Sequence, residues 1–303
     1  WTEEEVALAD DVKDFAQASD EERDFLTNVL RLFTQNDIMV GAGYDVMMRI
    51  FKPTEVQMML RTFANRENTH ISAYALLTET LGFHDEIYTE FLDIPIMETK
   101  TEYIEKAKVK KFEDYKSEGM TNAEVDNQFR RGVARMLAVY AGATEGISLM
   151  AQFAMVLQFQ FQNKYKGACQ IVDWSIKDEA QHQEGNSRLF REYIGENPDI
   201  WDDELKYEIY EAVREIVAYE KALVDYLKPP HMDKELVKTY IEYMADNALS
   251  LLGMKTNYNI KENPLPYMEE ITNGVSLVNF FEARVTDYAK GALTGSWSDL
   301  KDK

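Results

Sequence analysis

Two of the four histidines in this sequence stand three residues after a glutamate, His70 in Glu67-Asn68-Thr69-His70 and His182 in Glu179-Ala180-Gln181-His182. On a helix, positions i and i+3 share a face, so a carboxylate and an imidazole at this spacing reach one ion from the same side. Asp and Glu fill 54 of 303 positions, so an accidental carboxylate at one offset occurs about once in six, and at both about once in thirty. One such motif is an ordinary solvated pair. Two together point to two metal ions, and hard carboxylate oxygens with one imidazole per ion suit iron or manganese better than zinc.

Two ions in a four-helix bundle are served when two helices each give Glu-x-x-His and two others each give one carboxylate, the known pattern of di-iron carboxylate bundles. Glu145 supplies one: it interrupts the apolar run Ala141-Gly142-Ala143-Thr144-Glu145-Gly146-Ile147, where an unpaired charge is costly. Asp37, in Phe33-Thr34-Gln35-Asn36-Asp37-Ile38-Met39-Val40, lies on the helix before the first motif. Its surroundings are more polar, and periodicity alone does not choose it over its neighbours. His84 and His231 have no carboxylate at this spacing and receive no role.

These residues need long helices to hold them. Ser/Thr followed three residues later by Glu or Gln occurs at Ser19/Glu22, Thr54/Gln57 and Thr121/Glu124, the capping-box pattern that opens a helix. The periodicity predicts helices over roughly 20–47, 54–81, 99–117, 121–163, 168–193, 203–227 and 233–253. Apolar residues surround much of 133–161, so that helix belongs inside the bundle. With 14 Gly and 7 Pro and no linker-like stretch, the reading is an all-α bundle domain over 1–253, with extra helices, and a less regular C-terminal segment over 254–303 containing Asn263-Pro264-Leu265-Pro266.

A formal charge of -21 excludes nucleic acid and anionic membranes as natural partners. No apolar stretch is long enough for a membrane span and no signal peptide is visible, which leaves the cytoplasm as the expected location. The single Cys169 forms no internal disulfide and reads as buried filler.

On these residues the sequence resembles the small, radical-generating subunit of class I ribonucleotide reductase, over nearly its whole length. The resemblance implies a ferritin-like di-metal carboxylate bundle, with Asp37, Glu67 and His70 holding the first metal and Glu145, Glu179 and His182 the second. It places a radical tyrosine one turn beyond the first histidine, at Tyr74. It implies a transfer path through His70, Asp178 and Trp1 to Tyr288, with Glu282 assisting proton movement. The last segment, Gly295-Ser296-Trp297-Ser298-Asp299-Leu300, resembles the family's docking tail, with Trp297 and Leu300 as apolar anchors for the large subunit. A homodimer is implied too.

The implied activity is oxygen-dependent oxidation of Tyr74 by the metal pair, di-iron first with manganese in one or both positions as the alternative. The oxidising equivalent then passes to a large subunit that reduces ribonucleotides to deoxyribonucleotides. Ribonucleotide reduction needs paired thiols, which one cysteine cannot supply, so the substrate site belongs to another chain. Phe153 agrees with the usual apolar radical pocket, whereas Leu149 and Ser175 stand where Phe and Ile are common. The pocket is therefore expected to be looser or more polar, which leaves open whether Tyr74 or the metal pair stores the oxidant. The rival readings are another ferritin-like oxidase acting on its own substrate (a desaturase, monooxygenase or ligand-binding oxidase) and an iron-storage or structural bundle.

Overall fold

The structure is a computed structural model that describes residues 1–84, 94–116 and 119–272. Tyr288, Glu282, Trp297 and Leu300 lie outside them. Ten α-helices occur among the described residues: α1 Ala9–Ala16, α2 Asp20–Ile50, α3 Thr54–Leu81, α4 Pro95–Ala107, α5 Asn122–Val139, α6 Met150–Leu157, α7 Lys166–Glu196, α8 Asp203–Leu227, α9 Lys234–Leu251 and α10 Pro266–Thr272. No strand is present among these residues, so the all-α expectation holds.

The helix starts show which local signals prevail. At α5 the capping box is complete: Thr121 and Glu124 satisfy each other's backbone donors. At α2 only half forms. Ser19 Oγ accepts from the Glu22 amide at 3.2 Å, but the Glu22 carboxylate turns to Lys164 Nζ, 2.9 Å from both its oxygens. The expected box at Thr54/Gln57 does not form. Pro53 precedes α3 without a side-chain cap, and Gln57 Nε2 instead donates to the carbonyls of Met48 and Phe51, closing the α2–α3 turn. The helix expected over 99–117 starts earlier, with Pro95 in its first turn, where a missing amide proton costs nothing. It ends at Ala107, and Phe112–Tyr115 form a separate 3₁₀ turn.

The inner rod expected as one helix over 121–163 changes pitch. Between α5 and α6 the residues Tyr140–Leu149 form a π-helical segment, and a 3₁₀ turn follows at Gln158–Gln162. There the Thr144 hydroxyl bonds to the carbonyls of Val139 and Tyr140 at 3.3 and 3.2 Å, competing with the regular ladder. All of α6 is buried, and α7, α8 and α9 pack around the π segment. The apolar periodicity therefore located the core rod correctly but could not show its changed winding.

The short helix α1 was not expected. Its Asp11 carboxylate accepts from the Gly167 and Ala168 amides at 2.9 and 2.8 Å, so it serves as the N-terminal cap of α7 from 156 residues away. A Cβ at Gly167 would lie 2.6 Å from Leu8 and 2.8 Å from the Ala7 carbonyl, so only glycine permits this approach. At the other end, Asp246 of α9 accepts from the Asn257, Tyr258 and Ile260 amides at 2.8–2.9 Å. It folds the chain back so that Leu265 and Met268 reach the core.

Candidate metal centre

Four helical segments converge on one buried set of polar groups. Helix α2 brings Asp37, α3 brings Glu67 and His70, the π segment brings Glu145, and α7 brings Glu179 and His182; each is at most 1% exposed. Their donor atoms fall into two overlapping groups, Asp37 with Glu67 and His70, and Glu145 with Glu67, Glu179 and His182. Glu67 and Glu179 lie between the two histidines. His70 Nδ1 is 3.1 Å from Glu179 Oε1 and 3.7 Å from Glu67 Oε2, and His182 Nδ1 is 3.0 Å from Glu67 Oε1 and 3.2 Å from Glu179 Oε2.

None of these close approaches is a hydrogen bond. Both oxygens of Glu67, both of Glu179, Asp37 Oδ2, His70 Nδ1 and both ring nitrogens of His182 are buried without a hydrogen-bond partner. Such atoms are costly unless something else binds them. Metal–ligand bonds of about 2.1 Å at right angles set neighbouring donors about 3 Å apart, the spacing seen here. The four carboxylates also carry four negative charges, which two divalent ions cancel. The donor set fits a dinuclear metal site on spacing, chemistry and charge.

Burial and the neighbouring charges shift the proton affinities of these groups. Burial, reinforced by Glu67 and Glu179, pushes Asp37 well above the usual carboxylate range. Burial raises Glu145 to about 8 despite His182 nearby. The imidazoles move the other way from what burial alone would do: the surrounding carboxylates raise His70 strongly and His182 to about 10. Ligand groups must shed protons to bind metal, so loading displaces them.

The outer ring nitrogen of His70 has its own partner. His70 Nε2 lies 3.2 Å from Asp178 Oδ2, which also accepts from Trp1 Nε1 at 2.9 Å, leaving Nδ1 to face the ligand cluster. A carboxylate behind a ligand imidazole fixes its tautomer and orientation. The Trp1 indole stacks on His70 with ring centroids 5.8 Å apart. Trp174, to which the spacing of the motifs gave no role, lies 5.2 Å from Trp1, its ring tilted by 50°.

Tyr74 is fully buried, and burial together with Asp37 holds its hydroxyl well above the usual phenol range. Its OH donates to Ser175 Oγ at 3.1 Å. Phe33 packs against it at 4.9 Å, with Phe153 5.3 Å beyond Phe33. The serine that looked like a defect in an apolar pocket is therefore the hydroxyl's partner. Leu149 is buried as well.

Three residues beside the cluster were not anticipated. Phe63 packs on His182 at 4.4 Å. The Tyr44 hydroxyl donates to Glu145 Oε1, and Asn186 Nδ2 reaches Glu145 Oε2 at 3.1 Å. Tyr44 follows Asp37 by seven residues and Asn186 follows His182 by four, so the helical stripe carried a signal for both. His231 has no place in the cluster: its Nε2 lies 3.2 Å from Glu22. Cys169 is buried filler, with its thiol pushed up to about 12 by burial and by Asp11.

The family model for "Ribonucleotide reductase, small chain" matches residues 1–264. A probable ribonucleoside-diphosphate reductase small subunit of Invertebrate iridescent virus 6 is 37% identical over an alignment covering 100% of this chain and 91% of that protein. Among solved structures, a putative class I ribonucleotide reductase of Bacillus halodurans superposes with a TM-score of 0.80 at 20% identity, covering 89% of this chain and 94% of that one. A dimanganese(II) NrdF of Streptococcus sanguinis gives 0.72 at 20% identity, covering 91% of each chain. With these matches spanning the bundle and every helix that brings a side chain to the cluster, the chain belongs to the ribonucleotide reductase small-chain family, as a small subunit of ribonucleoside-diphosphate reductase.

Proposed function

We propose that this chain is the radical-generating partner of a large reductase subunit, with Asp37, Glu67 and His70 holding one metal ion and Glu145, Glu179 and His182 the other. The observation that carries this reading is the convergence of six buried ligand-type side chains, five of which (all but Glu145) turn atoms without a hydrogen-bond partner toward the cluster. When bound, the metal pair supplies an oxidising equivalent drawn from oxygen. Iron in both positions is the working assignment. Manganese in one or both fits the same donors, and the dimanganese protein from Streptococcus sanguinis supports that alternative.

In this reading Tyr74 stores the oxidising equivalent, its hydroxyl hydrogen held at Ser175 Oγ and water excluded by Phe33 and Phe153. His70, Asp178 and Trp1 form a hydrogen-bonded and stacked line leading away from the site. Tyr288, with Glu282 six residues before it in sequence, completes the path to the large subunit, and a tail anchored by Trp297 and Leu300 docks there. We assign 1–253 to the bundle domain and 254–303 to the C-terminal segment, and propose a homodimer working in the cytoplasm. No described helix is long and apolar enough to cross a membrane.

The test is metal analysis with electron paramagnetic resonance after reconstitution with iron or manganese in air. Two ions per chain and a tyrosyl signal that vanishes in Tyr74→Phe, with both ions retained, are expected. A chain that takes up no metal and shows no signal under any condition overturns the reading, and an unchanged tyrosyl signal in Tyr74→Phe removes Tyr74 from it.

A further inference from the structure

Burying a phenol and a carboxamide costs free energy unless each finds a partner. Tyr44 and Asn186 are both 0% exposed, and both direct their polar ends at one carboxylate. The Tyr44 hydroxyl donates to Glu145 Oε1. Asn186 Nδ2 donates to Glu145 Oε2 at 3.1 Å and to the Tyr44 oxygen at 3.0 Å, closing a three-membered ring of contacts. Tyr44 is also wedged in place by its neighbours, edge-on to Phe63 at 5.8 Å and to His182 at 5.9 Å.

Glu145 thereby differs from the two carboxylates between the histidines. Glu67 and Glu179 have no hydrogen-bond donor on either oxygen, whereas Glu145 has a neutral donor on each. A carboxylate has about four lone-pair positions, so donors on both oxygens fix its plane while leaving a lone pair for an ion. Because phenol and amide are uncharged, they orient Glu145 without disturbing the balance between four carboxylates and two divalent ions. The first ligand group is steadied differently, through Asp178 on the outer nitrogen of His70.

We propose that Tyr44 and Asn186 are paired positioning residues that present Glu145 in one orientation to the His182 metal position, and so set that position's affinity separately from the Asp37–His70 position. This rests on the two-ion reading of the site. Removing such an outer partner of a metal ligand weakens binding by about 10–100-fold.

The test uses the full chain and manganese(II) alone, with Tyr44→Phe, Asn186→Leu and the double variant. Paramagnetic resonance during the titration separates free ions, singly bound ions and spin-coupled pairs, and circular dichroism of the metal-free proteins checks the fold. In each single variant the first ion should bind as in the parent and the second about 10–100-fold more weakly, so that single ions accumulate where the parent forms pairs. The double variant should lose less than the product of the two single losses, because both act on one carboxylate. Equal weakening of both ions, or no weakening of either, overturns the clamp. If one variant fails to fold, the other decides by the same criteria. A parent that binds fewer than two ions defeats the two-ion reading instead, so the two failures are distinguishable.

Discussion

The Trp1 indole donates to Asp178 Oδ2 at 2.9 Å, joining residues 177 positions apart at the back of His70. The side chain of Asp178 is 15% exposed, so this contact lies between the buried cluster and the surface. It makes Asp178 answerable to two functions at once: holding His70 and connecting it to the indole.

These two functions separate by mutation. Asp178→Ala should lower affinity at the His70 metal position by about 10–100-fold, through loss of the carboxylate behind the imidazole. Trp1→Phe keeps a ring over His70 but removes the donor. It should leave metal content unchanged while nucleotide reduction with the large subunit is lost. Metal titration and coupled turnover measured on the same preparations check both; full turnover in Trp1→Phe would rule out the indole N–H as part of the path.

Metal loading should stabilise the fold, since both oxygens of Glu67 and of Glu179 and both ring nitrogens of His182 are buried without a hydrogen-bond partner. Binding to the folded state alone contributes about 2.7 kcal/mol per ion at about one hundred times the dissociation constant, or about 4 °C in melting midpoint per ion for a chain of 303 residues. Calorimetry with and without a chelator measures the shift. An unchanged midpoint would mean that the site binds nothing tightly.

The acid limb of stability should include Glu22. Burial alone would raise its carboxyl, but Lys164 and His231 outweigh burial and hold it below its ordinary value of 4.5. A depressed carboxylate contributes stability above the unfolded value, and that contribution is lost as pH falls through the folded value. Glu22→Gln should therefore cost about 1.5–3 kcal/mol at pH near 7, with the gap from the parent closing below about pH 4.5. Denaturant unfolding of both proteins across this range tests the sign. A gap that widens on acidification contradicts it.

Gly43 lies in the interior of α2, where alanine ordinarily stabilises. Here an added Cβ would overlap the ring of Tyr140, which is itself 0% exposed. Gly43→Ala should therefore destabilise by about 1–3 kcal/mol, overpacking outweighing the gain in propensity. Urea unfolding reads the result. A more stable variant would show that the ring can yield.

Much of this site is written in local spacing. The two Glu-x-x-His motifs put paired donors on one face of α3 and of α7, and Glu145 stood out as a charge in an apolar run. Asp37 was different: only the resemblance singled it out from polar neighbours, and its place became visible when α2 packed on α3. Tyr44 and Asn186 were missed because a buried polar residue on a ligand stripe looks like any other until its cross-helix partner is known. The failed Thr54/Gln57 box and the α1 cap on α7 have the same cause. In each, a long-range or turn contact competes with the local signal, and sequence spacing records only the local one. The change to π winding at Tyr140–Leu149 escaped because hydrophobic periodicity reports burial, not hydrogen-bond register.

The ring contacts of Trp1 with His70 and with Trp174 also give the molecule an optical reporter. Two of its four tryptophans are in ring contact with each other, and one of them with His70. Their emission should respond when a paramagnetic ion enters the His70 position. Trp1→Phe would remove the nearer fluorophore and identify which indole carries the signal. Metal entry can thus be followed in solution through the protein's own light, with no label attached.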